Sequence, residues 1–348
     1  MPGERAAPAA GEAVTTSRPS AVVASVDFAR AGVQHGHLRL PYSRDESAWG
    51  SVMIPIAVIG SGDGPTALLT GGNHGDEYEG PVALFDLARS LSAADVSGRV
   101  IILPAMNYPA FRAGTRTSPI DRGNLNRCFP GRPDGSITEK IADYVTRALL
   151  PLADIVLDFH SGGRTLDFLP YAAAHALPDK EQQRRCFAAV AAFAAPYSMK
   201  MIEIDAVGMY DTTAEQMGKV FLTTELRGGG TATAQSVRIA KTGVRNVLKH
   251  AGILRGVPQA GPSRWLDMPS DDCFGFAAQD GLVEPLKDLG ERVASGECLA
   301  RIHPLTQTGA APFEHRAAID GVLAARHFPG IVTVGDCLTV VAVAAAGD

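Results

Sequence analysis

Thr66-Ala67-Leu68-Leu69-Thr70 runs straight into Gly71-Gly72-Asn73-His74-Gly75-Asp76-Glu77. The apolar run reads as a buried strand, and the glycines free the backbone to bend sharply at its end. His74 and Glu77 then stand three residues apart, an imidazole and a carboxylate of the kind Zn²⁺ favours. Pro81 suits a first helical turn, and Val82 to Leu91 supplies an apolar helix. Alone, His-x-x-Glu recurs by chance on surface helices. Set between a strand and a helix, it reads as a site loop.

Two further strands end the same way. Asp154-Ile155-Val156-Leu157-Asp158-Phe159-His160-Ser161-Gly162-Gly163 offers His160 as a third ligand beside His74 and Glu77. Three protein ligands leave the fourth position of a catalytic zinc site for water. Asp158 lies two residues earlier, on the same strand face, where it can accept a hydrogen bond from a ligand imidazole and fix its tautomer; the plainer alternative is a polar residue at a strand end. Lys219-Val220-Phe221-Leu222-Thr223-Thr224-Glu225-Leu226-Arg227-Gly228-Gly229-Gly230 places Glu225 just past a third β-run. Sites in open α/β sheets gather outside such carboxyl ends. A carboxylate beside a metal-activated water is the expected general base; otherwise Glu225 caps a glycine-rich turn.

The rest of the chain supports an α/β fold with helices on both sheet faces. Strands are expected at about 21–26, 52–59, 67–70, 100–103 and 155–159, with helices at 82–91, 137–149, 180–193 and 237–250. Thr138 and Glu139 open the second helix and Pro151 closes it. Residues 1–20, rich in Ala, Pro, Ser and Thr, read as a disordered tail, and 21–261 as the catalytic domain. After Gly261-Pro262 short apolar runs are cut by glycines, so 262–348 reads as a C-terminal all-β domain. Its Leu289-Gly290-Glu291-Arg292-Val293 and Val334-Gly335-Asp336-Cys337-Leu338 resemble the two halves of a lipoyl/biotinyl-carrier type of sandwich. It has no D-K-A or M-K-M carrier turn, so Lys287 is read as a surface lysine. The module is expected to shape the catalytic cleft or to join subunits of a homo-oligomer.

Composition narrows the function classes. The 348 residues are 46% hydrophobic and 20% charged, the profile of a globular enzyme. A net charge of −5 offers no basic field for nucleic acid or an anionic membrane, and no apolar run approaches a membrane span. The first ten residues carry no apolar signal core, and five widely spaced cysteines without C-x-x-C fit a reducing compartment. A cytoplasmic protein is therefore expected. Cys128, beside Arg127, is either a thiolate-prone group or a small packing residue.

Between the metal segments lie Asn107 to Arg116 and Asp121 to Gly131, where Arg112, Arg116, Arg122 and Arg127 accompany Asn124 and Asn126. Guanidinium forks in a Gly/Pro-rich loop suit carboxylate recognition. The order H-G-D-E, N-x-N-R (Asn124 to Arg127), D-F-H (Asp158 to His160) and T-E-L (Thr224 to Leu226) resembles the succinylglutamate desuccinylase/aspartoacylase family of zinc carboxypeptidase-like amidohydrolases. The resemblance spans about residues 50–345. It implies a mixed sheet of the zinc-carboxypeptidase kind and one Zn²⁺ per chain on His74, Glu77 and His160. It further implies Glu225 as base and proton shuttle, Asn126 and Arg127 on the substrate's α-carboxylate, and Arg116 polarising the scissile carbonyl. The spacing to N-R leaves Arg112 or Arg122 as alternatives for that last role.

Longer segments, Gly32 to Gly36, Leu40 to Asp45, Asn107 to Asp121, Ala195 to Met199 and Asp205 to Asp211, resemble the branch of this family that deacetylates an N-acetylated diamino acid. Such a small-molecule N-acyl amino acid carries a free ammonium, which needs a carboxylate partner in a cleft. Glu203, Asp205 and Asp211 are candidates, or else a solvated alternating face. Alternatives are a desuccinylase or aspartoacylase of another acyl amino acid, a peptidase of C-terminal residues, or a metal-binding interaction protein. Glu225 argues against the last, since a scaffold has no need of a base.

Overall fold

The computed structural model describes residues 19–60, 62–202 and 205–345. Residues 1–18 of the expected tail, and Glu203, lie outside them. The three motif-bearing strands, Thr66–Gly71, Ile155–His160 and Val220–Glu225, run parallel, with Ile155–His160 in the middle. Their register sets Thr70 opposite Asp158 and Glu225 opposite His160, so the three carboxyl ends finish level. Beyond Thr66–Gly71 come parallel Arg99–Leu103 and then antiparallel Ser51–Gly60 and Gly32–Pro41. Beyond Val220–Glu225 come antiparallel Tyr171–His175 and then Tyr197–Met201.

Both faces of this mixed sheet are covered. Leu69, Leu157 and Leu222 join one core with buried residues of the helices Glu79–Ser90, Lys180–Phe193 and Ala234–His250. Their chain neighbours Leu68, Val156 and Phe221 face a second core with Ile141 and Ala142 of Ile137–Tyr144. Side chains alternate across a strand, so a strand buried on both faces must be apolar throughout. That is why these three read as continuous apolar runs.

Several boundaries differ from expectation. The helix after the first motif starts at Glu79, with Pro81 inside its first turn. The helix expected over 137–149 is α-helical to Tyr144 and widens into a π turn at Val145–Leu149. Ser136, not Thr138, caps it, in a reciprocal box with Glu139. The first strand is only Val23–Ala24.

Among the described residues, everything after Pro262 is strand, turn or loop apart from one 3-10 turn, Asp271–Cys273. The central sheet does not stop there. Arg264–Asp267 adds in parallel to Tyr197–Met201 and pairs antiparallel with Cys337–Ala344. That strand pairs with Gly321–His327, which in turn pairs with Leu166–Phe168 from beside the site. A second sheet, Phe313–Arg316, Cys298–His303, Gly281–Pro285 and Ile331–Val332, packs on it through Ala300, Ile302 and Leu338. No helix among the described residues is long and apolar enough to cross a membrane. All five cysteines are free.

Candidate metal and active site

The turn after Thr66–Gly71 is held by close backbone packing. Gly72 takes φ +63°, and a Cβ on Gly75 would lie 2.0 Å from the carbonyl carbon of Ala110, so only glycine fits there. This brings His74 and Glu77 over the sheet end. His74, Glu77 and His160 each direct a ligand atom to one point, all within 4.8 Å of one another. His74 Nδ1 lies 2.7 Å from Glu77 Oε1, and His160 Nδ1 lies 3.0 Å from Glu77 Oε2.

The outer ring nitrogens are equally committed. His160 Nε2 lies 2.8 Å from Asp158 Oδ2, and His74 Nε2 lies 3.2 Å from Asn124 Oδ1. With Nε2–H donating outward, each imidazole keeps an unprotonated Nδ1 for a metal, the arrangement by which outer partners orient ligand histidines. Asp158 is itself fixed, accepting from Thr70 Oγ1 at 2.6 Å and Asn73 Nδ2 at 3.1 Å. Two imidazoles and a carboxylate, buried and oriented in this way, fit a metal ion.

The titratable groups of the cluster perturb one another strongly. Burial lowers His74, Glu77 pulls it back up, and Arg116 pushes it down again, leaving it below the ordinary imidazole range. For His160 burial is outweighed by Asp158 and Glu77, which raise it well above that range. Glu77 is disfavoured by burial, yet the two histidines hold it below the usual carboxylate range. Glu225, in register beside His160, is pushed up to about 8 by burial and by the Glu77 carboxylate. Its Oε2 is buried with no hydrogen-bond partner among the described residues. A cation between them would favour the ionised form of both acids.

A cavity of about 320 Å³ opens over these groups. Arg116 enters it, with Nη1 3.4 Å from His74 Nδ1 and 3.7 Å from Glu77 Oε1. The Thr115 carbonyl accepts from Gly75 N–H at 2.9 Å, which ties the arginine's segment to the histidine's turn. Arg112 and Arg122, the alternatives, do not line this cavity. Asn126 and Arg127 form another wall. Asn126 Oδ1 accepts from Tyr210 N–H at 3.1 Å, which turns its amide NH₂ out as a donor. Asp205 is paired with Arg127, Nε to Oδ2 at 3.7 Å, away from the cavity lining; Asp211 lines the cavity. Cys128 is no thiolate, since burial pushes its thiol up to about 11 and Sγ donates to the Asn124 carbonyl.

Sequence reasoning missed Asn124, Asn73 and Thr70 as supports, and Leu166 and Phe168 as cavity walls. A fully buried threonine at the end of an apolar strand is a signal for Thr70.

Residues 63–251 match the model of the succinylglutamate desuccinylase/aspartoacylase catalytic domain. An N-alpha-acetyl-L-2,4-diaminobutyric acid deacetylase of Halomonas elongata is 56% identical over 328 residues, covering 93% of this chain and 96% of that protein. The product-bound structure of the ectoine utilization protein EutE (DoeB) of Ruegeria pomeroyi superimposes with a TM-score of 0.93 at 62% identity, covering 94% of this chain and 99% of that one. A succinylglutamate desuccinylase structure from Silicibacter sp. TM1040 gives 0.92 at 60% identity, covering 94% and 100%. The chain belongs to the succinylglutamate desuccinylase/aspartoacylase family.

Proposed function

We propose that the protein is a zinc-dependent amide hydrolase that converts N-α-acetyl-L-2,4-diaminobutyrate to 2,4-diaminobutyrate and acetate, a step of ectoine breakdown. The observation that carries it is one cleft holding the His74, Glu77 and His160 cluster, the buried Glu225 and two arginines. The choice of amino acid follows the Halomonas relative, similar across nearly all of both chains.

Imidazole nitrogen and carboxylate oxygen in a three-ligand set suit Zn²⁺, which supplies Lewis acidity toward a carbonyl and lowers the pKa of water toward about 7. Asn126 and Arg127 hold the α-carboxylate, the planar guanidinium matching it with two parallel donors. Arg116 donates to the scissile carbonyl oxygen as negative charge develops there. Glu225 takes the proton of the attacking water as its oxygen bonds to the carbonyl carbon. It returns that proton to the nitrogen as the C–N bond breaks, and the remaining hydroxyl proton of the new carboxyl group passes to the freed amine, so acetate and an α-ammonium leave. Leu166, Phe168 and Met201 give the cavity an apolar wall suited to a methyl group. The strands after Pro262 read as a barrel-sandwich-like cover, supported by the pairing of Leu166–Phe168 with Gly321–His327.

The test is turnover of a panel by the zinc-loaded protein: N-α-acetyl-2,4-diaminobutyrate, N-acetyl-aspartate, N-succinyl-glutamate and the Nγ-acetyl isomer. The first should have the highest kcat/KM. Faster turnover of acetyl-aspartate or succinyl-glutamate refutes the substrate assignment.

A further inference from the structure

We infer that Asp211 is the specificity-determining carboxylate that receives the substrate's side-chain ammonium; this rests on the proposed substrate and deepens it. An amino acid's α-carboxylate and side chain diverge from one carbon. The subsite for a two-carbon side chain must therefore adjoin the carboxylate subsite. The segment before Asp211 is fastened to that subsite. Tyr210 N–H donates to Asn126 Oδ1 at 3.1 Å, Met209 sulfur touches the Arg127 guanidinium, and Phe129 N–H donates to the Gly208 carbonyl at 3.0 Å. Asp211 follows directly and lines the same cavity.

Its position is well supported. Tyr210 is fully buried, stacked on Phe129 with centroids 4.7 Å apart and edge-on to Phe221 at 5.5 Å. At the far end of the same helix, Tyr210–Gln216, Glu215 bonds the buried His175 at 3.1 Å. Asp211 Oδ1 accepts from Thr212 N–H at 2.7 Å, which sets the plane of the carboxylate. Pre-positioned groups on a packed element bind with less loss of freedom.

The other described acids at the cleft face other groups or lie outside it. Glu77 faces two histidines and Glu225 lies beside His160, while Asp205, which pairs with the lining residue Arg127, does not itself line the cavity. The described lining also holds two cationic side chains besides the histidines, Arg116 and Arg127. One is needed by the carbonyl and one by the α-carboxylate. Among the described residues no further cation lines the cavity for a succinyl or aspartyl carboxylate, while Asp211 would repel one.

The experiment compares kcat/KM for N-α-acetyl-2,4-diaminobutyrate with that for N-acetyl-norvaline, which has the same length and no charge. It uses the full-length zinc-loaded wild type and the variants Asp211→Asn, Asp211→Glu and Asp205→Asn. Metal content and melting temperature are checked for each. The wild type should prefer the ammonium substrate, and Asp211→Asn should cut that preference roughly 10- to 100-fold, the worth of a charged hydrogen bond, chiefly through KM. Asp211→Glu should restore part of it. A preference that survives Asp211→Asn, or that collapses equally in Asp205→Asn, overturns the assignment while leaving the proposed function standing. A wild type that does not hydrolyse the diamino substrate removes both.

Discussion

Asp158 offers a quantitative test of the proposed metal cluster. It is 1% exposed, and its two oxygens accept three hydrogen bonds, from Thr70 Oγ1 at 2.6 Å, Asn73 Nδ2 at 3.1 Å and His160 Nε2 at 2.8 Å. In Asp158→Asn the amide oxygen can still serve Asn73 and His160. The amide nitrogen then faces the Thr70 hydroxyl, which turns from donor to acceptor. Ring orientation survives and only the charge is removed. Zinc affinity should fall roughly tenfold, about 1.4 kcal/mol, the lower end of the effect of losing an outer partner. Asp158→Ala strands three buried donors and frees the ring. Affinity should fall roughly 100-fold, and stability by about 3 kcal/mol at roughly 1 kcal/mol per stranded donor. Competition against a chromogenic chelator measures the affinities, and melts at saturating Zn²⁺ separate them from unfolding. An alanine variant that binds zinc within threefold of wild type would show that Asp158 does not orient His160.

Glu225→Gln should keep full metal content and lose roughly 10²–10⁴ in kcat, the usual worth of a general acid/base; near-normal turnover would assign the proton to another group. Arg127→Ala should raise KM for acyl amino acids much more than it lowers kcat, and an α-amide substrate should be nearly indifferent to the change, as steady-state kinetics will show. Burial holds the His315 imidazole, bonded to Thr339 Oγ1 at 2.8 Å, below its ordinary range. Between its folded pKa and the ordinary value near 6.5, the unfolded chain binds the proton that the folded chain refuses. Its contribution to stability is therefore whole above about pH 6.5 and declines as pH falls toward the folded pKa. Urea midpoints at pH 7.5 and 5.5 should converge in His315→Gln relative to wild type, and an unchanged difference would exclude this histidine.

The candidate ligands stood out in the sequence because their segments each follow an apolar run with a glycine-rich turn, a pattern local to about ten residues. Their convergence was not local. Nothing within Ile155–His160 says that Thr66–Gly71 and Val220–Glu225 flank it in parallel, yet that register puts Thr70 on Asp158 and Glu225 beside His160. Tyr171–His175 escaped notice because three central alanines carry little β preference, and burial between two strands outweighs it. Tyr210–Gln216 was hidden for a similar reason. Its seven residues are too few for a helical period, and the helix is held by Tyr210 stacking rather than by propensity.

The C-terminal segment shows the same limit from the other side. Its short strands were readable as β, but their consequence for the site depends on Leu166–Phe168, three residues that gain a partner about 160 positions away. Ala325 pairs with Phe168, and the Phe328 N–H donates to the Thr165 carbonyl at 2.8 Å. Thr165, Leu166 and Phe168 all line the cavity. The wall that shares the cavity with the proposed metal cluster is therefore the edge of a sheet completed by residues 321–328. A short strand has little stability without that pairing. The β segment thus belongs to the substrate cavity as much as to the chain's far end, and changes along 321–328 should register in substrate binding before they register in metal content.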